Sequence, residues 1–179
     1  MRAVGAAVER LGGAYVTAED VGTLPADMEA IAAETAHVAG RPLTSGGRGD
    51  PSPATAETVF AAIASAVEVA LGRTDLEGVR VGVEGVGHVG AVLVALLRQA
   101  GAAVEVCDLD AARAAAVAAE WGAEAVSREG FAERDLDVFA PCALGGALDV
   151  ATVEALKARI VCGAANNQLV TEGAGGTAD

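Results

Sequence analysis

The twelve residues from Val79 to Gly90, VRVGVEGVGHVG, limit what this chain can fold into more than any other stretch. Val79, Val81 and Val83 alternate as in a buried strand, and Val89 to Leu97 reads as an apolar helix. Between them Gly85, Gly87 and Gly90 stand at the spacing G-x-G-x-x-G. In that pattern the first glycine permits a tight turn. The second lets backbone approach a pyrophosphate, and the third lets the helix pack on the strand. The N–H groups opening the helix then point at phosphates. Gly85, Val86, Gly87, His88, Val89 and Gly90 are therefore the candidate cofactor cradle. Asp108 ends the next apolar run, 23 positions after Gly85, which is the context the fingerprint needs.

Bulk properties narrow the surroundings. The chain has 179 residues, 53% of them hydrophobic and only 3% aromatic, so its core is built from Ala, Val, Leu and Ile. A net charge of −13 disfavours nonspecific nucleic-acid binding and anionic membrane surfaces. Cys107, Cys142 and Cys162 form no C-x-x-C pair and lie within or beside apolar runs. They read as small buried hydrophobes in a reducing compartment. His37 and His88 have no spacing that suggests a metal site. The apolar run around the fingerprint helix is too short to span a bilayer, and no basic segment with an apolar core opens the chain. The cytoplasm is the expected location, with no membrane or nucleic-acid partner.

Taken in order, Met1 to Leu11 reads as the end of a helix stopped by Gly12-Gly13. Residues 14–17 suggest a short strand, and Thr23 a cap for the helix carrying Pro25, Met28, Ile31 and Ala32. Residues 40–52 are loop by composition. Ser52 as N-cap and Pro53 at N1 start a helix to about Leu71. Its expected apolar face is Ala56, Phe60, Ile63, Val67 and Leu71. Strand 79–83, helix 88–99, strand 103–107 and a helix capped by Asp110 follow. Val117 and Trp121 lie one turn apart on that helix. Further strands are expected at 124–126, 137–140 and 159–161, with a short helix over 151–157. Such alternation implies an α/β fold, a Rossmann-type doubly wound parallel sheet of order 3-2-1-4-5.

Three blocks follow from this organisation. Residues 1–52 carry too little apolar surface for a core of their own, residues 53–169 form the nucleotide-binding domain, and 170–179 form a frayed tail. Both ends look cut.

The chemistry-bearing residues gather at the carboxyl ends of the strands. Asp108 suits the adenosine ribose hydroxyls and repels a 2′-phosphate, which favours NAD over NADP. The plainer alternative is that it only ends the strand. Cys142 and Ala143, in FAPCALG after the fourth strand, border the crevice, where small residues admit a nicotinamide ring. Ala164, Asn166 and Asn167 follow the fifth strand. The amides at 166–168 suit a carboxamide, a ribose or a carboxylate, or alternatively a capping turn. Asp20, in a glycine-bounded loop, is a proton donor or acceptor or a solvated turn residue. Thr55 lies in the first turn of its helix. Lys157 is the only lysine.

Together these motifs resemble the leucine/valine/phenylalanine dehydrogenases, relatives of the glutamate dehydrogenases. The matching pieces are GGAYVTAEDVGT (12–23), GDPSPATA (49–56), GVEGVGHVG (82–90), VCDLD (106–110), FAPCALGGAL (139–148) and VCGAANNQL (161–169). The last two resemble the valine and leucine branches most. The resemblance implies NAD-dependent oxidative deamination of a branched-chain L-amino acid to its 2-oxo acid. It implies that Asp20 assists proton transfer and that Ala18 lines the side-chain pocket. It matches Thr55 to a contact with the nicotinamide amide and Asn167 to the substrate. Family members also carry two lysine-bearing segments upstream and a YAPDY-like stretch downstream, through which they form homo-oligomers. This chain corresponds to the middle of such a protein. The alternative function is an NAD-binding fragment or interaction module without turnover.

Overall fold

A computed structural model describes residues 1–20, 22–47 and 49–170. The chain divides into two compact units, Met1–Pro51 and Ser52–Asp179.

In the first unit, α1 (Arg2–Glu9) packs on α2 (Pro25–Ala32). A Cβ on Gly5 would stand 2.7 Å from the Ile31 carbonyl oxygen, so glycine is what allows the close crossing. The buried apolar side chains among its described residues are Val8, Met28 and Ile31. Two sequence expectations fail here. The strand over 14–17 is a single parallel bridge, Thr17 with Val38. Leu24 rather than Thr23 caps α2, with the Asp27 carboxylate accepting the Leu24 N–H at 3.0 Å.

The second unit is an α/β domain. Helix α3 (Ser52–Leu71) precedes β1 (Arg80–Glu84), α4 (His88–Gln99), β2 (Ala103–Cys107) and α5 (Ala111–Trp121). Then come β3 (Glu124–Ala125), β4 (Val138–Pro141), α6 (Val150–Ala155) and β5 (Ile160–Val161). All described pairings in the sheet are parallel, and its order is β3-β2-β1-β4-β5, as the strand–helix alternation implies. Two 3-10 helices, Leu43–Ser45 and Phe131–Glu133, had no signal in the sequence. The element ends differ by a residue or two from those expected, and α3 begins at Ser52 itself. Of the tail, Val170 donates its N–H to the Leu148 carbonyl at 3.1 Å, and the rest lies outside the described residues.

Alternation of side chains along the strands makes two cores. Val81 and Val83 of β1 join Val138 and Ala140 of β4 beneath α3, α4 and α5. Phe139, one residue along, turns to the other face with Cys107, Phe131, Leu136 and Leu148. Asp110 caps α5 as expected, accepting from Ala112 at 3.0 Å and Arg113 at 3.2 Å. Helix α3 is the one described helix long and apolar enough to cross a membrane by length and composition. Its Ala56, Ile63 and Val67 are fully buried in the sheet core.

At the opposite end of β1, Arg80 is held by Asp135 and Asp137. Burial pushes the Asp137 carboxyl up, but the Arg80 side chain and amide outweigh it and hold it below the ordinary carboxylate range. A depressed carboxyl contributes stability above its unfolded pKa and loses it as pH falls. Asp137→Asn is therefore expected to destabilise at neutral pH, with the difference narrowing below about pH 4 in urea titrations. Ile63→Ala is expected to cost about 2–5 kcal/mol by the same measurement.

Candidate functional site

The glycine turn is built by close approach. The Gly85 N–H donates to the Cys107 carbonyl at 2.8 Å, carrying the β1–β2 ladder one residue past the strand. Gly85 then takes φ +93°, and a Cβ there would lie 2.6 Å from the Ala143 amide nitrogen. A Cβ on Gly90 would stand 2.0 Å from the Gly85 carbonyl oxygen, so α4 lies directly on the turn. Gly87 differs from both. Its φ is −71°, and no atom of the described residues stands within 4 Å of an added Cβ. Neither conformation nor packing among the described residues asks for glycine there; the position opens on space in front of α4. Among the described residues no side chain caps that helix. Such a cradle fits a phosphate-bearing ligand.

Asp108 brackets the turn. Its side chain is 10% exposed. One oxygen accepts the Val86 N–H at 2.8 Å and the other the Asp110 N–H at 2.9 Å. Arg113 stands 3.7 Å away. The structure thus shows Asp108 fastening the glycine turn to the end of β2, a duty that spacing alone did not reveal. Val86 is buried and presents backbone; Val89 is half-buried and His88 exposed.

The loop after β4 lies against the same turn. Cys142 donates its N–H to the Glu84 carbonyl at 2.7 Å, and Ala143 sits beside Gly85. Burial pushes the Cys142 thiol up to about 11. Burial together with the Glu84 charge pushes Cys107 up to about 12. Both stay protonated at neutral pH.

The loops after β4 and β5 are laced together. Gly146 donates to the Asn167 carbonyl at 2.7 Å and Leu148 to the Gln168 carbonyl at 2.8 Å. The Gln168 amide returns to the Gly163 carbonyl at 3.3 Å. A Cβ on Gly145 would lie 1.8 Å from the Asn167 Oδ1, so Gly145 makes the room that the Asn167 side chain occupies. In the sequence Gly145 reads as the glycine of a strand-to-loop turn, and its close approach to Asn167 has no signal there. Ala164 is half-buried, and Asn166 and Asn167 are exposed.

The structure therefore brings Gly85–Gly90, Asp108, Cys142 and Ala143 together, with Ala164, Asn166 and Asn167 on the loop laced to that of Ala143. Thr55 is exposed in the first turn of α3. Ala18 and Asp20 belong to the unit Met1–Pro51. There the Thr23 hydroxyl accepts the Asp20 N–H at 2.9 Å and donates to the Asp20 carbonyl at 2.6 Å, which closes the loop around the acid. That bond is also why Thr23 does not cap α2.

The sheet order and the glycine turn define a Rossmann-type α/β domain. No family model matches the chain. Leucine dehydrogenase of Thermoactinomyces intermedius is 43% identical over 171 residues, 96% of this chain and 47% of that protein. Valine dehydrogenase of Streptomyces virginiae is 45% identical over 178 residues, 96% of this chain and 49% of that protein. The crystal structure of L-tryptophan dehydrogenase from Nostoc punctiforme aligns with a TM-score of 0.74 at 38% identity, covering 96% of this chain and 48% of that one. The chain is homologous to these amino-acid dehydrogenases over nearly all of its own length, and it spans about half the length of the curated relatives it matches.

Asp108→Ala strands the buried Val86 N–H. It is expected to cost roughly 1–3 kcal/mol in urea denaturation and to speed amide exchange at Val86. An unchanged midpoint together with unchanged exchange would show that Asp108 does not hold the turn.

Proposed function

We propose that this chain is the cofactor-side portion of an NAD-dependent amino-acid dehydrogenase that deaminates a branched-chain L-amino acid to its 2-oxo acid. Support comes from the homology and, above all, from Gly87. A glycine that neither backbone nor packing requires suits a site where a ligand fills the space a side chain would take.

When bound, NAD supplies the hydride acceptor for the hydrogen on the substrate Cα. The amides opening α4 bind its pyrophosphate, and the positive end of the helix dipole favours that charge. Asp108 accepts from the ribose hydroxyls while keeping its bond to Val86, and its charge repels a 2′-phosphate. Cys142, Ala143 and Ala164 present small surfaces to the nicotinamide. Asn166 orients the cofactor, Asn167 the substrate, and Thr55 the carboxamide. Asp20 moves a proton at the substrate amine, and Ala18 borders its side chain. The lysines that the family uses to hold the carboxylate and act as base have no counterpart here, since Lys157 is the only lysine. This chain by itself therefore holds cofactor without turnover. In this reading it works in the reducing cytoplasm, where Cys107, Cys142 and Cys162 stay free thiols, and it assembles as a homo-oligomer with the rest of the enzyme.

Calorimetry of the purified 179-residue chain is expected to show NAD bound more tightly than NADP, with no valine- or leucine-dependent NADH formation. Gly87→Ala is expected to abolish NAD binding while leaving the melting temperature unchanged. A Gly87→Ala chain that binds NAD like the parent would contradict the assignment.

A further inference from the structure

Glu84 ends β1 with its side chain on the Phe139 face, opposite α4, and is 8% exposed. Its Oε1 accepts the Arg128 Nε–H at 3.1 Å. The pair borders a cavity of about 440 Å³ on that face of the sheet, apart from the glycine turn. The cavity is floored by Phe131 and Phe139, whose rings lie 6.0 Å apart and tilted at 57°. Ala151 and Ala155 of α6 give it a wall of methyl groups, and Glu129 and Glu133 stand exposed at its edge.

Charge and shape select a ligand class. Glu84, Glu129 and Glu133 line the cavity with Arg128 as its one cation, and Arg128 pairs with Glu84, so the lining is net negative. Arg128 is 56% exposed while Glu84 is almost buried, so a solvated cation compensates a carboxylate withdrawn from water. The rest of the lining is mixed: Thr152 adds a hydroxyl-bearing side chain, while the two rings and the alanine methyl groups supply its apolar part, and ring faces attract cations. We infer that this cavity binds an organic cation, a primary ammonium on a small apolar body. The ammonium sits on Glu84 and the body lies on Phe131 and the alanines of α6. An anion of the same shape meets three carboxylates and is excluded.

The test is calorimetric titration of the 179-residue chain with 2-phenylethylamine at neutral pH. One amine is expected to bind per chain, and Glu84→Gln is expected to weaken it at least tenfold. Ala151 is exposed on α6, so Ala151→Trp fills the cavity without entering the core and is expected to abolish amine binding while leaving NAD binding unchanged. If Glu84→Gln fails to fold, Ala151→Trp decides alone. The inference is overturned if the folded chain does not bind the amine. Unchanged amine binding in Ala151→Trp, or equally tight binding of 3-phenylpropionate, also overturns it.

Discussion

The contact on which the rest of this domain depends is the approach of α4 to the turn that follows β1. With only 2.0 Å between a would-be Cβ at position 90 and the Gly85 carbonyl, no residue larger than glycine leaves the helix where it is. That approach sets α4 over Val81 and Val83 and so sets the main core. It also aims the helix N-terminus at the crevice beyond the strands. The packing of α4 here is a consequence of one missing side chain. Asp108 then fixes the turn from β2, and the loop of Ala143 fixes it from β4.

Much of this was legible in the sequence because it rests on local rules. Val79, Val81 and Val83 alternate, Asp110 is placed to cap, and helices separate the strands; parallel order with right-handed crossovers follows from these. What escaped are contacts between residues distant in sequence. Thr23 has the chemistry of an N-cap, but its hydroxyl closes the Asp20 loop instead. Residues 14–17 have strand character, but they pair with Val38 at one residue only, so no ladder propagates. The space that Gly145 leaves for Asn167, 22 positions on, has no periodicity to betray it.

The acids of the chain illustrate the same limit. Asp108, Asp110 and Glu84 look alike as sequence, yet Asp108 brackets a turn, Asp110 caps a helix and Glu84 turns to the opposite face to meet Arg128. Only the alternation of the sheet separates the Glu84 side chain from the face that carries α4, though it immediately precedes Gly85. A fingerprint residue therefore need not serve the fingerprint's ligand.

The most direct measurement is a map of backbone amide shifts on adding NAD to the isotopically labelled chain. The largest changes are expected at Val86 to Gly90, Ala143 and Ala164 to Asn167, with the amides at Arg128 to Glu133 still. Shifts centred on residues 128–133, or none at the glycine turn at saturating NAD, would contradict the placement of the cofactor at the front of α4.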